Sequence, residues 1–427
     1  MQATQASFAS RNSNGPDVAP QKTYTLCDEL PVEILHAVFE RVLLPPCLVD
    51  PTANRQPTAL WNSERRQKLS LLCVSKTWYL AARMYLYQEV SISDARQVAR
   101  LLRSVKENQG LAPLIKTFVL SCYIHGQHLP QLETDLRELV NSCTNLTSFN
   151  CTPKLPLAYP GVLHACQVPS ITHLWLGEGV RWEPAAEMLR VLSPRLVSLG
   201  FTAHFQHSEL SWTATTPIDI PFSFPALESL FLTVHCDTSA FSRLLGQWDM
   251  PILERLTMGG DELTEQTLRM LSRLVFSWTG LAIRYLNVRD CTPIREKTSI
   301  VADIVAELPH LEHLVCHRSH IQHLEPHAKL RWIDGWGPNW MNRSRIPVLE
   351  PAAFPKLDGI RHMSILLLEL PMLPFDLPPD IHPEEGDAKW SFRSGNIHVV
   401  YDYGGIDLDT STLGNEQPFA GYMNYTE

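Results

Sequence analysis

The spacing of apolar residues changes along the chain, from a helical period to the alternation that is typical of strands. Between residues 30 and 42 the apolar positions recur every three or four residues and form one stripe: Leu30, Ile34, Leu35, Val38, Phe39 and Val42. This spacing predicts an amphipathic helix. Pro31 suits its first position, where a missing N–H does no harm, and Asp28 and Glu29 place negative charge at the positive end of the helix.

Residues 69–85 predict two more short helices. The apolar residues Leu69, Leu72 and Cys73 mark the first, and Ser75 is placed to cap the second. The second helix has one apolar face, formed by Trp78, Ala81, Ala82 and Tyr85. We therefore predict a three-helix domain over residues 25–86.

The two halves of this domain are separated by residues 43–66, which contain four prolines and predict an inserted surface loop. Long loops add little entropic cost, so the helical domain tolerates this insertion. Residues 1–24 are polar, with few large apolar side chains, and predict a disordered tail.

A repeat begins where the helical period ends. Each copy has an apolar residue, two others, a second apolar residue, one other, and a third position that is usually apolar. The copies begin at Tyr87, Ile115, Leu146, Ile171, Leu196, Leu227, Leu253, Ile283, Leu311, Leu330 and Leu357, in steps of 19 to 31 residues. A proline or small turn residue often precedes a copy.

This spacing is the signature of a leucine-rich repeat, in which each unit supplies one strand and a helix or turn. The fold class we predict is α/β: an N-terminal helical domain followed by an irregular repeat solenoid over residues 87–370, with a parallel sheet on its concave face. Residues 131–142 and 265–276 predict two of the helices between strands. The repeats lack the asparagine that usually follows the strand.

The repeat pattern stops after residue 370. Residues 371–415 predict a proline-rich acidic linker and a capping segment, in which residues 390–403 form two strands around a Ser-Gly-Asn turn. An exposed solenoid end needs such a cap because its apolar face is otherwise open. We expect residues 416–427 to be a flexible tail.

Composition narrows the function classes. The chain of 427 residues has a net charge of −9 and a pI of about 6.0, which does not favour binding to nucleic acid or an anionic membrane. No apolar run has the length of a membrane span, and the N-terminus lacks a signal-peptide core. The ten cysteines are scattered, without a Cys-x-x-Cys pair. We interpret them as reduced, buried residues, which predicts a cytosolic or nuclear protein.

The helical domain resembles an F-box. The likeness rests on Leu30-Pro31, Glu33-Ile34-Leu35, Phe39, the run Val74-Ser75-Lys76-Thr77-Trp78-Tyr79, and Ala81-Ala82. In that family these helices bind a Skp adaptor, which connects the protein to a cullin–RING ubiquitin ligase. The resemblance implies adaptor contacts at Leu30, Pro31, Ile34, Leu35, Val74 and Trp78. The insert at residues 43–66 departs from the family, which has a short turn there. The irregular repeats resemble those that follow F-boxes in many fungal proteins.

The chain offers little support for catalysis. A cluster of histidines (His310, His313, His317, His320, His323 and His327, with Cys316 among them) has the ligand types of a zinc site but not the spacing of one. We expect solvated or hydrogen-bonded histidines there, and no metal or cofactor. The sequence has no Gly-x-Ser-x-Gly elbow, phosphate-binding loop or His-Glu-x-x-His motif. We therefore expect no enzymatic activity.

Side chains between the apolar anchors of each copy point to the concave face. This places Trp175, Phe231, Thr233, His317 and Trp336 there as a candidate substrate-binding surface. The alternative is that several of them are packed under irregular loops.

Three hypotheses follow. The first is a substrate receptor whose F-box binds the adaptor and whose solenoid holds an unidentified target protein. The second is a scaffold protein whose F-box-like helices only cap the solenoid, and the third is an enzyme on a repeat scaffold. Exposure separates the first two, because an F-box needs Leu30, Pro31 and Trp78 to be accessible, whereas a cap buries them.

Overall fold

The structure is a computed structural model. It describes residues 30–43, 60–123, 128–152, 170–177, 182–203, 221–234, 245–260, 269, 272–275, 282–290, 300–336, 349, 352–363, 391–394 and 397–403. The predicted tails at residues 1–24 and 416–427, and most of the inserted loop, lie outside this part of the chain. Residues 60–66 of the predicted loop are instead the start of a helix, so the loop prediction is corrected there.

Three helices form the N-terminal unit, which we call the helical unit (residues 30–43 and 60–87). They are α1 (Val32–Val42), α2 (Leu60–Leu72) and α3 (Lys76–Tyr87). Pro31 is the N-cap of α1 rather than its first residue, and the side chain of Ser75 accepts a hydrogen bond from the Trp78 N–H at 3.3 Å at the start of α3. Both positions agree with the predicted helix starts to within one residue.

The helical unit has a small core of its own. It consists of Leu35, Phe39, Leu43, Leu71, Ala81 and Ala82, with Val38, Leu72, Trp78 and Tyr85 packed against it. The ring of Phe39 meets the edge of Trp78 at 5.2 Å and that of Tyr85 at 5.8 Å between centroids. This core is separate from that of the solenoid, so the two regions are stabilised by different sets of contacts.

The rest of the described chain is organised on one sheet. Its strands are β1 (Glu89–Asp94), β2 (Thr117–Tyr123), β3 (Ser148–Cys151), β4 (His173–Leu176), β5 (Ser198–Ala203), β6 (Ser229–Val234), β7 (Arg255–Gly260), β8 (Tyr285–Asp290), β9 (His313–His317), β10 (Trp332–Trp336), β11 (Gly359–Met363), β12 (Ser391–Ser394) and β13 (Ile397–Tyr403). Strands β1 to β11 are neighbours in sequence order and pair in parallel, as a solenoid requires.

Helices and short turns connect the strands. The helices are α4 (Arg96–Glu107), α5 (Leu129–Ser142), α6 (Trp182–Leu192), α7 (Ile300–Ala306) and α8 (Arg318–Ile321), and 3₁₀ turns lie at Ala112–Leu114 and Ser193–Arg195. α5 confirms the helix predicted at residues 131–142. Of the helix predicted at residues 265–276, the structure describes Arg269 and residues 272–275, which are helical.

The register of the sheet confirms the repeat pattern. The second anchors align from strand to strand, as in Phe118, Phe149 and Leu174, and the third anchors do the same, as in Leu120 and Cys151. The first anchors precede the strands and are buried: Ile115, Leu146, Ile171, Leu196, Leu227, Leu253, Ile283, Leu311, Leu330 and Leu357. The side chains at all three anchor positions pack against the apolar faces of α4 to α7 and form one continuous core with them. The fold is a leucine-rich-repeat solenoid.

Hydrogen bonds between neighbouring repeats add to this core. The side-chain amide of Asn145 donates to the carbonyl of Pro113 at 2.8 Å, and the Ser170 hydroxyl donates to the carbonyl of Leu146 at 2.6 Å. Each bond satisfies a carbonyl that the turn before a strand would otherwise leave open.

A β-hairpin closes the C-terminal end of the sheet. β12 and β13 are antiparallel to each other, and β13 adds in parallel to β11. This is the predicted capping arrangement of residues 390–403. The hairpin covers the edge of β11, which would otherwise present unpaired backbone groups.

Candidate interaction surfaces

The surface of the helical unit is unusually apolar. Ten large hydrophobic side chains are exposed in the described part of the chain, and eight of them belong to this unit: Leu30, Val32, Ile34, Val42, Leu69, Val74, Tyr79 and Leu80. The other two are Val191 and Ile252, in the solenoid. Such a concentration on one unit is typical of a protein interaction site.

The predicted adaptor residues divide between this surface and the core beneath it. Leu30, Pro31, Ile34 and Val74 are exposed, and Trp78 is half-buried against Phe39. Leu35 is fully buried and belongs to the core of the helical unit. The sequence-based assignment of Leu35 to an accessible surface is therefore corrected: the stripe of α1 splits, with Leu35 and Phe39 facing inward and Ile34 facing outward.

The exposed apolar residues of α2 and α3 lie among basic ones. Residues 65–88 contain no Asp or Glu but five Lys and Arg residues: Arg65, Arg66, Lys68, Lys76 and Arg83. Along α3 the exposed Tyr79 and Leu80 lie between Lys76 and Arg83, one helical turn away on either side. The surface thus combines apolar area with positive charge, in a chain whose net charge is −9.

A cleft of about 240 Å³ lies where the helical unit meets the first repeat. Its lining includes Glu64, Lys68, Tyr87, Glu89 and Leu101. Glu64 is buried, and its carboxylate accepts a charge-assisted hydrogen bond from Lys68 at 2.8 Å. This ion pair forms part of the polar lining of the cleft.

The concave face, defined here as the sheet face opposite the helices, carries the predicted substrate-binding residues. Alternation along the strands places Trp175 and Phe231 in one row across the sheet, with Gly200 between them. Their ring centroids are 4.3 Å apart. A Cβ at position 200 would overlap the indole of Trp175, so glycine is required for the two aromatic rings to meet over β5.

The predicted substrate-binding residues are less exposed than the sequence suggested. Trp175 and Thr233 are half-buried, while Phe231 and His317 are buried. Phe231 is covered in part by Trp175, and His317 bonds through Nδ1 to the Ser319 hydroxyl at 2.7 Å. The expected open aromatic surface is thus corrected to one half-exposed indole on a buried ring. The side chain of Trp336 lies outside the described part.

Four of the six histidines near the C-terminal repeats are buried: His313, His317, His320 and His327. Nε2 of His313 lies 2.6 Å from Oδ2 of Asp334, and both side chains are buried on the concave face. The ring of Tyr285 meets His313 edge-on at 5.0 Å, and Asn287 donates to the Tyr285 hydroxyl at 3.3 Å. These four residues link β8, β9 and β10 in one polar network.

His320 and His327 occupy separate environments. Burial, with the neighbouring His317 and His323, lowers the pKa of His320 to about 4. His327 contacts the Leu308 carbonyl through Nε2 at 3.0 Å and accepts the Leu330 N–H through Nδ1 at 3.0 Å. Within the described ranges no three His, Cys, Asp or Glu side chains converge as a metal site would require.

The described cysteines are mostly buried, as predicted. Cys122, Cys143, Cys151 and Cys316 are buried, whereas Cys73 is exposed beside Val74. Burial raises the pKa of the Cys143 thiol to about 11 and, together with Cys122, that of Cys151 to about 12. These thiols therefore act as small apolar side chains.

Sequence reasoning did not identify Gly200, Asn150 or Asp334. The available signal for Gly200 was a glycine between the second and third apolar anchors of its repeat. Each of the other strands from β2 to β10 has a residue with a side chain at that position. Asp334 occupies the same row in β10. A carboxylate between apolar anchors suggests a buried partner, but the sequence does not identify His313 as that partner.

Comparisons with known proteins do not assign the chain to a family. No protein-family model matches the sequence, and no curated protein matches it. Among solved structures the chain is similar to the Rad7–Elc1 complex of yeast, at 13% identity over 79% of this chain and 88% of that one, with a TM-score of 0.38.

It is also similar to the leucine-rich-repeat protein LegL7 of Legionella pneumophila, at 13% identity over 60% of this chain and 89% of that one, with a TM-score of 0.39. A Bacteroides fragilis protein aligns at 11% identity over 72% of this chain and 80% of that one, with a TM-score of 0.34. In the part of the chain that the structure describes, no helix has the length and apolarity needed to cross a bilayer.

Proposed function

We propose that the protein is a substrate-receptor subunit of an SCF-type (Skp–cullin–F-box) ubiquitin ligase. The helical unit would bind the Skp adaptor, and the solenoid would hold a target protein. The chain would contribute proximity alone, since the ubiquitin-transfer chemistry belongs to other subunits, and it would act in the cytosol or nucleus.

The exposed apolar side chains of the helical unit carry this proposal. Leu30, Ile34 and Val74 are motif residues of the F-box resemblance, and all three are exposed although a small unit has few apolar residues to spare for its core. A helical cap would turn these side chains toward the first repeat. Their exposure favours a partner that covers them.

The charge of residues 65–88 indicates what such a partner presents. Residues 65–88 contain five basic and no acidic residues. Lys68 pairs with Glu64, whereas Arg66, Lys76 and Arg83 leave their charge for a partner with an acidic surface and apolar pockets. We expect the association rate with the adaptor to fall as salt is added, because long-range attraction between exposed charges is screened within about 8 Å at physiological ionic strength.

Co-purification of the full chain with a Skp adaptor tests the proposal. The wild-type chain should bind, and the double variant Leu30→Ala with Pro31→Ala should lose binding by about tenfold or more while the solenoid stays folded. Ile252→Ala is a matched control, since Ile252 is exposed to a similar degree as Ile34 but lies in the solenoid. Unchanged binding of the double variant would show that the interface has been assigned to the wrong residues.

One observation favours the second candidate, a scaffold whose helical unit caps the solenoid. Only Gln88 separates α3 from β1, and its carbonyl accepts hydrogen bonds from the N–H groups of Lys116 and Thr117, both at 2.9 Å. The end of α3 is thus built into the first repeat pair. If neither the wild-type chain nor the double variant binds an adaptor, this scaffold function replaces the ligase proposal.

A further inference from the structure

Helix α3 has two faces that point in opposite directions. Ala81 and Ala82 are buried in the core of the helical unit, and the ring of Phe39 on α1 packs against the same face. Four residues at positions i, i+3, i+4 and i+7 lie about half a turn away around the helix. We call them the outer stripe: Lys76, Tyr79, Leu80 and Arg83. The outer stripe therefore faces away from α1.

The two apolar residues of the outer stripe are unusually exposed. Tyr79 is 47% exposed and Leu80 is 59% exposed, the highest value among the exposed large hydrophobic side chains of the described residues. Neither belongs to the described core cluster of the helical unit, against which Trp78 and Tyr85 of the same helix pack. Their contact area is thus available to a partner, and covering it is favourable because apolar surface leaves water.

Positive charge lies at both ends of this apolar pair. Lys76 is one turn before it and Arg83 is one turn after it, and residues 65–88 contain no acidic residue. Among the described residues neither cation takes part in an ion pair. A partner with a carboxylate at each end would therefore meet an available cation, whereas a partner with Lys or Arg there would be repelled.

The outer stripe is continuous with the proposed adaptor surface. Val74, which the F-box resemblance assigns to the adaptor, is exposed in the turn before α3. At the other end, Tyr87 lies one turn beyond Arg83 and lines the cleft at the first repeat, together with the exposed Leu69 of α2. A partner that covers Val74 can thus follow α3 along the stripe as far as this cleft.

We propose that the outer stripe selects which adaptor binds. The adaptor places an apolar side chain on Tyr79 and Leu80, and an Asp or Glu side chain beside each of Lys76 and Arg83. None of these four residues is among the contacts that the F-box resemblance implies, so the motif residues supply the common part of the interface and the stripe supplies its specificity. The inference rests on the proposed receptor function, because it specifies which adaptors the receptor accepts.

Binding kinetics of the full chain with a Skp adaptor test the two parts of the stripe separately. Tyr79→Ala with Leu80→Ala should weaken the affinity by about tenfold or more, mainly through faster dissociation, because this variant removes the apolar centre. Lys76→Gln with Arg83→Gln should instead slow association by about fivefold at low salt and flatten its salt dependence. Alanine and glutamine are good helix formers, so both variants should keep the fold.

The solenoid provides a matched control for each variant. Val191→Ala with Ile252→Ala removes two exposed apolar side chains, and Arg103→Gln with Arg190→Gln removes two exposed cations. Both control variants should bind the adaptor within about twofold of the wild type, because their residues lie far from α3 in the chain and outside the helical unit. A loss in the controls as large as that in the stripe variants would contradict the inference.

Two further outcomes separate this inference from the receptor function. If both stripe variants bind normally while Leu30→Ala with Pro31→Ala does not bind, the stripe lies outside the interface, and the inference is wrong although the receptor function stands. If the wild-type chain binds no adaptor, the receptor function fails and the inference fails with it.

Discussion

The helical unit and the solenoid place their side chains in opposite ways. The helical unit exposes eight large apolar side chains. The solenoid exposes two in its described part, and on its concave face it buries polar residues such as Asn287, His313 and Asp334. One region leaves apolar area to water, and the other removes hydrogen-bonding groups from it.

This difference indicates what maintains each region. In the solenoid a buried polar group can find a partner on the next strand, as His313 does with Asp334, so stacking satisfies it. The helical unit has no neighbouring copy. Its outward apolar residues stay exposed, as the proposed adaptor contact requires.

The largest expected effect contrasts one residue from each region. Phe149→Ala should lower the free energy of unfolding by about 3–5 kcal/mol, because Phe149 is fully buried and stacks on Phe118 at 6.1 Å between ring centroids. Ile34→Ala should change it by about 0.5 kcal/mol or less, since Ile34 is 49% exposed. Urea unfolding of both variants measures the difference. A loss above about 1.5 kcal/mol in Ile34→Ala would mean that α1 packs more tightly than described, and would weaken the docking proposal.

A second contrast compares a buried and an exposed aspartate inside the solenoid, each bonded to a neighbouring side chain. Asp334→Ala should destabilise the protein by about 3 kcal/mol, since it leaves His313 buried without its carboxylate partner. Asp358→Ala removes an exposed pair with Arg331 of similar length, 2.7 Å, and should cost about 0.5 kcal/mol. Equal losses in thermal unfolding would contradict the view that burial, rather than pairing, sets the importance of these groups.

Much of the fold was predictable because the repeats have a strict local requirement. Each strand needs two inward apolar residues and an anchor before it, and this pattern is visible at Ile115, Phe118 and Leu120 without any knowledge of the partner strands. The end hairpin was predictable for the same reason, since its turn residues are local signals. The boundaries of the predicted domains stay predictions.

The candidate sites were less predictable because burial on the concave face depends on neighbouring strands. Alternation along the strands predicted the correct face for Phe231 and His317. It did not predict how far Trp175 and other residues cover that face. Within α1 the spacing of Ile34 and Leu35 suits either side of the helix, and only packing against α3 decides that Leu35 faces inward. A site formed by side chains from several strands has no signal in any one of them.

The smallest effect concerns pH and again separates the two regions. The pKa of His320 is lowered to about 4 by burial and by the nearby His317 and His323, so the folded chain holds His320 neutral where the unfolded chain protonates it. Since the unfolded state then binds more protons, stability should fall as the pH drops from about 6.5 toward 4, by at most about 2–3 kcal/mol.

Hydrogen exchange resolves where this loss occurs. Between pH 7 and 5 the amides of β9 and α8 should lose protection, after correction for the intrinsic exchange rate, while those of α1 and α3 should not. His320→Leu should remove most of this pH dependence, because no proton can then be taken up at that position. An equal loss of protection in the helical unit would show that the two regions unfold together, and that their separate cores do not make them separate in stability.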